Sequence, residues 1–416
     1  MQSKKYGVLS LPVLVAALGY FVDIYDLLLF SIIRIPSLKS FGLNDEEIAK
    51  DGLFIINIQM IGLLIGGILW GVLGDKKGRL KVLYASIILY SLGNIANGFV
   101  QNVNQYALIR FITGIGLAGE LGAGITLVTE LLSKEKRGIG TSFVAGIGLT
   151  GAVFAFFLKE LLIQPDNSGW RMCYFIGGGL GIILLFLRVG VLESGMFKTI
   201  EHSKVSKGNF FMLFTNGKRF KKYLLAIFIG LPTWYVIGIL ITFSKEFGAK
   251  MHIQGAIDPG KAVMCAYAAI SIGDVLVGFV SQWFKSRKKA LYVFYGITAI
   301  AMVWFFNLEG AGVNQLYAAC ALLGFGTGFW AIFVTMAAEQ FGTNIRATVA
   351  TTVPNMVRGS LTLVSLLFTW LQVQTGDYIK AGWITGVAVI VIGIVSAVLT
   401  EETYHKDLNY LEPEAI

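Results

Sequence analysis

The 416-residue sequence predicts an all-α membrane protein: twelve transmembrane helices in two six-helix bundles. Three observations carry that prediction. Residues are 55% hydrophobic and only 14% charged, with a mean hydropathy of +0.70, so most of the chain has lipid as its solvent. Apolar runs long enough to cross hydrocarbon, about 20 residues each, recur along the whole chain. Half of the chain also repeats. At an offset of 209 residues, TLVTELLSKEKRG (126–138) matches TMAAEQFGTNIRA (335–347), with Thr126 over Thr335, Glu130 over Glu339 and Arg137 over Arg346.

The first set of spans is expected at 8–33, 52–73, 82–100, 104–132, 139–160 and 171–192. Lys4 and Lys5 ahead of the first run suggest a secretory signal, but the run continues through Asp23 and Asp26 into LLLFSII and further spans follow, so it reads as a retained helix. The second span carries Gly62, Gly66, Gly67 and Gly71 on one side, small residues that let a neighbouring helix approach closely. Between the second and third spans lies GVLGDKKGRLK (71–81), a charged turn framed by Gly74 and Gly78. Its Asp75 can pair with a basic residue of a neighbouring loop. The fourth span holds Arg110 and Glu120. They lie about 80° apart on the helical wheel but roughly 15 Å apart along the axis, so they cannot pair with each other.

A polar stretch, 193–222, separates the sets and reads as a linker between an N-terminal bundle (1–192) and a C-terminal bundle (223–400), with a tail at 401–416. The second set is expected at 223–245, 262–284, 290–308, 313–340, 348–371 and 381–399. The seventh span contains Pro232, Trp234 and Tyr235, the eighth Asp274, and the eleventh Pro354, Asn355 and Arg358. The counterpart of the 71–81 turn, GFVSQWFKSRKK at 278–289, puts Gln282 where Asp75 would stand, which predicts an asymmetric gate.

Charge sets the orientation. Of the 34 Lys and Arg, 23 fall on the side of both termini, the linker and the 71–81 turn, and eight on the other, while Arg34, Arg110 and Arg358 lie within apolar segments. The richer side is expected to be cytoplasmic, in a multi-pass protein of the cell membrane with both termini inside. The net charge of +9 does not indicate nucleic acid, because the basic residues sit in short loops and form no aromatic-interleaved patch. Cys173, Cys265 and Cys320 fall in apolar segments and imply no disulfide framework. His202, His252 and His405 are far apart, so no metal site, nucleophilic constellation or cofactor is expected. Gly114-x-Gly116-x-x-Gly119 matches the dinucleotide fingerprint as a string, but no strand precedes it and it lies inside an apolar helix.

The run RFITGIGLAGELGAGITLVTELLSKEKRG (110–138) resembles the fourth helix and following loop of the major facilitator superfamily, and 71–81 resembles that superfamily's signature loop. GYFVDIYDLLLF (19–30) is similar to the first helix of the metabolite, aromatic-acid and phosphate symporters coupled to protons. With Trp170-Arg171 and the 335–347 repeat, the likeness spans nearly the whole chain. It implies a transporter, not an enzyme, working by alternating access, in which two repeats rock about a midplane site.

An ionisable group in a span costs about 2.5–3.5 kcal/mol at a helix centre unless it faces a partner or cavity. Asp23, Asp26 and Glu120 are therefore candidates for proton coupling. Tyr25, Arg110, Trp234, Tyr235, Asp274, Asn355 and Arg358 are candidates for the substrate site. Structural ion pairs between helices are the alternative for the charged members. The resemblance implies that Asp75, Arg79, Glu130 and Arg137, with the repeat's Glu339 and Arg346, form a gate that stabilises the state closed to the cytoplasm. The expected partners are a small-molecule substrate, protons and the bilayer, for a monomer. Arg110 and Arg358 favour an organic anion taken up with protons. Phosphate, a zwitterion or a cation is the alternative substrate, and a sensor or scaffold without turnover the alternative class.

Overall fold

A computed structural model describes residues 7–188, 208–406 and 410–412; within them the side chains of Arg79, Lys134, Glu135 and Arg137 lie outside the described set. Nearly every element is helical. The first half runs α1 (Leu11–Lys39), α2 (Asp45–Lys77), α3 (Arg79–Asn97), α4 (Val103–Leu117), α5 (Glu120–Leu131), α6 (Lys134–Leu162) and α7 (Trp170–Leu187). After a 3-10 turn at Phe210–Leu213 come α8 (Gly217–Tyr235), which passes into a π-helical stretch at Val236–Ile241, and α9 (Ser244–Lys250). Then follow α10 (Pro259–Trp283), α11 (Arg287–Phe306), α12 (Val313–Gly326), α13 (Trp330–Glu339), α14 (Arg346–Gly359), α15 (Leu361–Thr375) and α16 (Tyr378–Leu399).

Polar residues at the loop edges set the helix starts. Asn44 and Glu47 form a reciprocal capping box on α2, and Asn102, Asn216, Asp258, Ser286 and Asp377 accept from the first amides of α4, α8, α10, α11 and α16. Gly78, at φ +99°, makes the break between α2 and α3, a conformation a side chain would strain. Some helix ends depart from the hydropathy-based boundaries: α1 extends to Lys39, and α2 starts at Asp45 because Asn44 caps it there. The expected linker, 193–222, is shortened for the same reason: α8 begins at Gly217, behind its Asn216 cap. Most of the remaining linker lies outside the described residues.

Among the described residues, eleven helical segments are long and apolar enough to span a membrane. The twelfth position is α3, whose 19 residues include the polar Ser86, Ser91, Asn94 and Asn97, all buried within the bundle. Three spans are broken, at Ala118-Gly119, Thr327–Phe329 and Ser360. The first two breaks are related by the same 209-residue offset as the sequence repeat, so the duplication is structural as well as sequential.

The two halves meet chiefly where α2 packs on α14 and α6 on α10. Glycine permits that approach: a Cβ at Gly67 would lie 2.7 Å from Asn355 Cβ, and one at Gly71 would lie 3.0 Å from Thr348 Cα. Gly116 likewise abuts Tyr90, so the glycines of the rejected fingerprint serve helix packing. Exposure is inverted relative to a water-soluble protein. Phe157, Phe186, Trp283, Ile300, Leu363 and Val391 face outward, while Asp23, Asp26, Arg110, Asp274 and Arg358 are buried.

Candidate functional site

The centre of the molecule holds two buried acid–arginine contacts from one turn of α1, and they differ in kind. Arg110 Nη1 donates to Asp26 Oδ1 at 2.9 Å, Nη2 donates to the Asp26 carbonyl at 2.9 Å, and Nε donates to Gln59 Oε1 at 3.2 Å. The guanidinium also lies 5.7 Å from the Tyr174 ring centre. This contact joins α1, α2 and α4 within the first half, and it is fixed by three hydrogen bonds.

Asp23, three residues earlier, reaches across to the second half. Its Oδ2 lies 3.9 Å from Arg358 Nη2 of α14, with both side chains almost wholly buried. Neither Asp23 oxygen accepts a hydrogen bond among the described residues, and Arg358 Nε and the indole Nε1 of Trp330 are also unpaired there. Buried polar atoms left this way are costly, which marks the contact as loose. Around it stand Trp234 and Trp330, with ring centres 6.0 and 5.9 Å from the guanidinium carbon. Asn355 accepts from Arg358 Nη1 at 3.3 Å and donates to the Ala118 carbonyl at 2.9 Å, so it ties the arginine to the break in the fourth span. That break satisfies the rule that interrupted backbone inside a membrane protein needs a substitute partner.

The other sequence-predicted residues disperse. Glu120, at the start of α5, forms a buried ion pair with Arg188 at the end of α7 and braces those two helices. Tyr25 donates to the Cys173 carbonyl at 2.6 Å, and Tyr235 donates to the Gly382 carbonyl at 2.5 Å, so both phenols lock helices together and neither turns toward Arg358. Asp274 accepts from the Ala331 amide at 3.0 Å at the first turn of α13, where a carboxylate complements the helix N-terminus. It does not contact Arg358. The structure instead brings in Tyr20, Tyr267 and Trp330, which sequence reasoning missed. Two of them had a signal: Tyr20 precedes Asp23 by three residues, and Tyr267 precedes Asp274 by seven, spacings that share a helix face.

Both ends of the interface between the halves are closed. At the basic end, Asp75 accepts from the Ala347 amide at 3.2 Å and from the Thr348 amide and hydroxyl at 2.7 Å each, capping α14 from the opposite half. The sequence suggests a basic loop partner for Asp75; its contacts here include the amides and hydroxyl at the start of α14, and the side chains of Arg79 and Arg137 lie outside the described residues. Glu130 pairs with Arg346 across the halves at 3.7 Å, and Thr335 donates to Thr141 at 3.0 Å. Glu339 pairs with Arg287 at 3.2 Å inside the second half and accepts from Thr403 at 2.7 Å. The tail is thus docked. Glu402 accepts from Ser286 and from the Arg287 and Lys288 amides, and Tyr404 donates to Gln282. Burial pushes the Glu402 carboxyl up, but the hydrogen bonds from Ser286 and the backbone amides outweigh it and leave it below the ordinary range.

At the opposite end, Arg34 of α1 pairs with Glu246 of α9 at 3.0 Å and lies 4.6 Å from the Phe243 ring centre. Lys159 of α6 pairs with Asp258, and Lys245 with Asp45 at 3.2 Å. Each of these pairs bridges the halves. Hydrogen bonding and charge from Lys245, with Lys39 nearby, hold the Asp45 carboxyl below its ordinary range. Sequence reasoning singled out Arg34 as a buried-segment arginine but had no partner for it, because Glu246 is 212 residues away.

A twelve-span, duplicated, centrally charged bundle closed at both ends coincides with a family model: residues 16–361 match the Major Facilitator Superfamily. The chain belongs to that superfamily. It is accordingly a multi-pass membrane transport protein and not an enzyme. Among Major Facilitator relatives, the inner membrane metabolite transport protein YhjE of Escherichia coli is 28% identical, covering 95% of each chain. The niacin transporter NiaP of Acinetobacter baylyi is 24% identical over 95% of this chain and 94% of its own. The solved structure of the proton:xylose symporter XylE superposes with a TM-score of 0.77 at 18% identity, covering 96% of this chain and 97% of that one, and establishes the shared fold.

Proposed function

We propose that the chain is a proton-coupled symporter that carries a small organic anion across the cell membrane by alternating access, with its basic end and both termini in the cytoplasm. The reading also holds that residues 1–192 and 223–400 are the moving bundles. The observation that carries it is the Asp23–Arg358 contact: an acid and a base, buried, under-bonded and contributed by opposite halves, midway between two closed ends. A charged pair so placed can change partners only when the halves move, which links ion and substrate occupancy to access. The single basic group facing an acid at that point suits an anion accompanied by a proton, and a relative that carries niacin supports the same substrate class. Every residue of the site comes from one chain, so a single copy suffices.

The test is uptake by the purified protein in liposomes. An inward proton gradient should drive accumulation of a labelled organic anion such as niacin, and a protonophore should abolish it. Accumulation of phosphate or betaine in its place would reassign the substrate. Binding without any flux would favour a sensor.

A further inference from the structure

We infer that the end of the molecule opposite the basic one carries a second ligand site, separate from the central charges. It takes a small monocarboxylate with a short apolar body and, when occupied, clamps the two halves shut at that end. The inference goes beyond the symporter reading and uses from it only the alternating access of the two halves.

A cavity of about 240 Å³ lies between the halves there. Ile32 and Ile35 of α1 and Lys159 of α6 line it from the first half, and Lys245 of α9, Ile257 and Asp258 line it from the second. Space for one water needs only about 10–15 Å³, and drug-sized sites begin near roughly 300 Å³, so the occupant is a small molecule of several heavy atoms.

The charges set its chemistry. Lys159 donates to Asp258 Oδ2 and lies 3.1 Å from Glu160, and Lys245 donates to Asp45 Oδ2 at 3.2 Å. An ammonium has three N–H donors, so each lysine keeps one for a further acceptor. Asp258 is already engaged: its Oδ1 accepts from the Gly260 amide at 2.9 Å and caps α10, whose N-terminus complements the negative charge. A cation would meet two ammonium groups and a helix N-terminus. A carboxylate instead accepts from both lysines, one oxygen each, while its hydrocarbon body covers Ile32, Ile35 and Ile257. A sugar would bury hydroxyls against those isoleucines without partners.

The clamp follows from the origin of the two lysines. Lys159 belongs to the first half and Lys245 to the second, and each already meets a carboxylate of the other half. An anion held by both adds a third link across the same seam, and the site exists only while the halves meet. By linkage, its binding favours the state closed at this end. The side chains of Lys245 and Asp258 are 39% and 35% exposed, so the cavity is reached from the medium without the halves parting. In the proposed orientation, a carboxylate outside the cell thus brakes the opening of the transporter toward its own side.

The experiment uses the full-length protein in lipid nanodiscs, with spin labels on Asp166→Cys and Glu309→Cys, exposed positions in the first and second halves at this end, and with the partly exposed Cys265 replaced by Ser. The probes are hexanoate, hexanamide and acetate. Hexanoate should raise the ratio of closed to open distances about fivefold. Hexanamide should leave it unchanged, and acetate, which lacks the apolar body, should act at least about tenfold more weakly. Lys245→Gln should weaken the hexanoate response about tenfold, and Lys245→Arg should keep it. Arg358→Ala, which removes the positive charge of the central site, should also keep it. Widening of this end by hexanoate, an equal response to hexanamide, a full response in Lys245→Gln, or its loss in Arg358→Ala would each overturn the inference. The labels report closure whether or not anything is transported. A clamp without proton-driven flux in liposomes would therefore sink the symporter reading alone, and flux without a hexanoate response would sink the clamp alone.

Discussion

Two aspartates one helical turn apart, Asp23 and Asp26, have opposite characters because of what faces them. Asp26 is anchored by Arg110 through both its carboxylate and its own carbonyl, an arrangement that holds α1 against α4. Removing one partner of such a buried pair leaves the other charge uncompensated, so Asp26→Asn should destabilise the protein by about 3–5 kcal/mol. Thermal unfolding in detergent measures this; an unchanged midpoint would show that the pair adds nothing to folding. Both acids and both arginines were visible in the sequence, since a charge inside an apolar run is conspicuous. Their pairing was not. Asp26 and Arg110 are 84 positions apart, and nothing in either helix's own pattern tells which acid meets which arginine. The same blindness hid Arg188 as the partner of Glu120, and it made Tyr25 and Tyr235 candidates when their hydroxyls are engaged in helix packing.

At the scale of elements, the start of α14 shows how two halves can be latched together by ordinary helix capping. Its first amides donate to a carboxylate from the other half, Asp75, where the helix dipole reinforces the hydrogen bonds. Asp75→Asn removes the charge at the helix N-terminus and one of the two acceptor oxygens, and should shift the population toward the state open at the basic end by about 1–2 kcal/mol. Gln282→Ala should do far less, since Gln282 serves the tail through Tyr404. Spin-label distances across the basic end would resolve the difference, and equal effects would refute the asymmetry. The tail has its own pH response. Because the Glu402 carboxyl lies below its ordinary range when docked, docking is favoured above the ordinary glutamate range and is lost as the pH falls through the depressed value. Hydrogen exchange at 400–406 should therefore stay slow from neutral pH to mild acid and rise only in stronger acid. The spans themselves were legible from hydropathy, and their pairing in halves from the repeat. The breaks within them were not foreseen, because a glycine in a membrane helix marks close packing at Gly67 and a break at Gly119 with the same letter.

At the scale of the whole molecule, the structure is closed at both ends, and alternating access requires that one closure open while the other holds. Arg34 is almost fully buried and joins α1 to α9, so it carries much of the closure opposite the basic end. Arg34→Ala should widen that end in distance distributions, whereas Asp75→Asn widens the basic end; a double variant in which both ends stay narrow would show that aromatic packing, not charge, keeps the bundle shut. The two closures also differ in their insulation. Asp75 and its amides are sealed in protein, but Lys245 and Asp45 keep side-chain exposures of 39% and 67%. Ions in the medium screen exposed pairs within a Debye length of about 8 Å at physiological strength and leave buried ones nearly untouched. In the proposed orientation, a cell that moves from fresh to briny surroundings would thus weaken the Lys245–Asp45 link while the buried Arg34–Glu246 pair holds, so that the saltiness of its habitat would trim the outer closure without any change in substrate or proton supply.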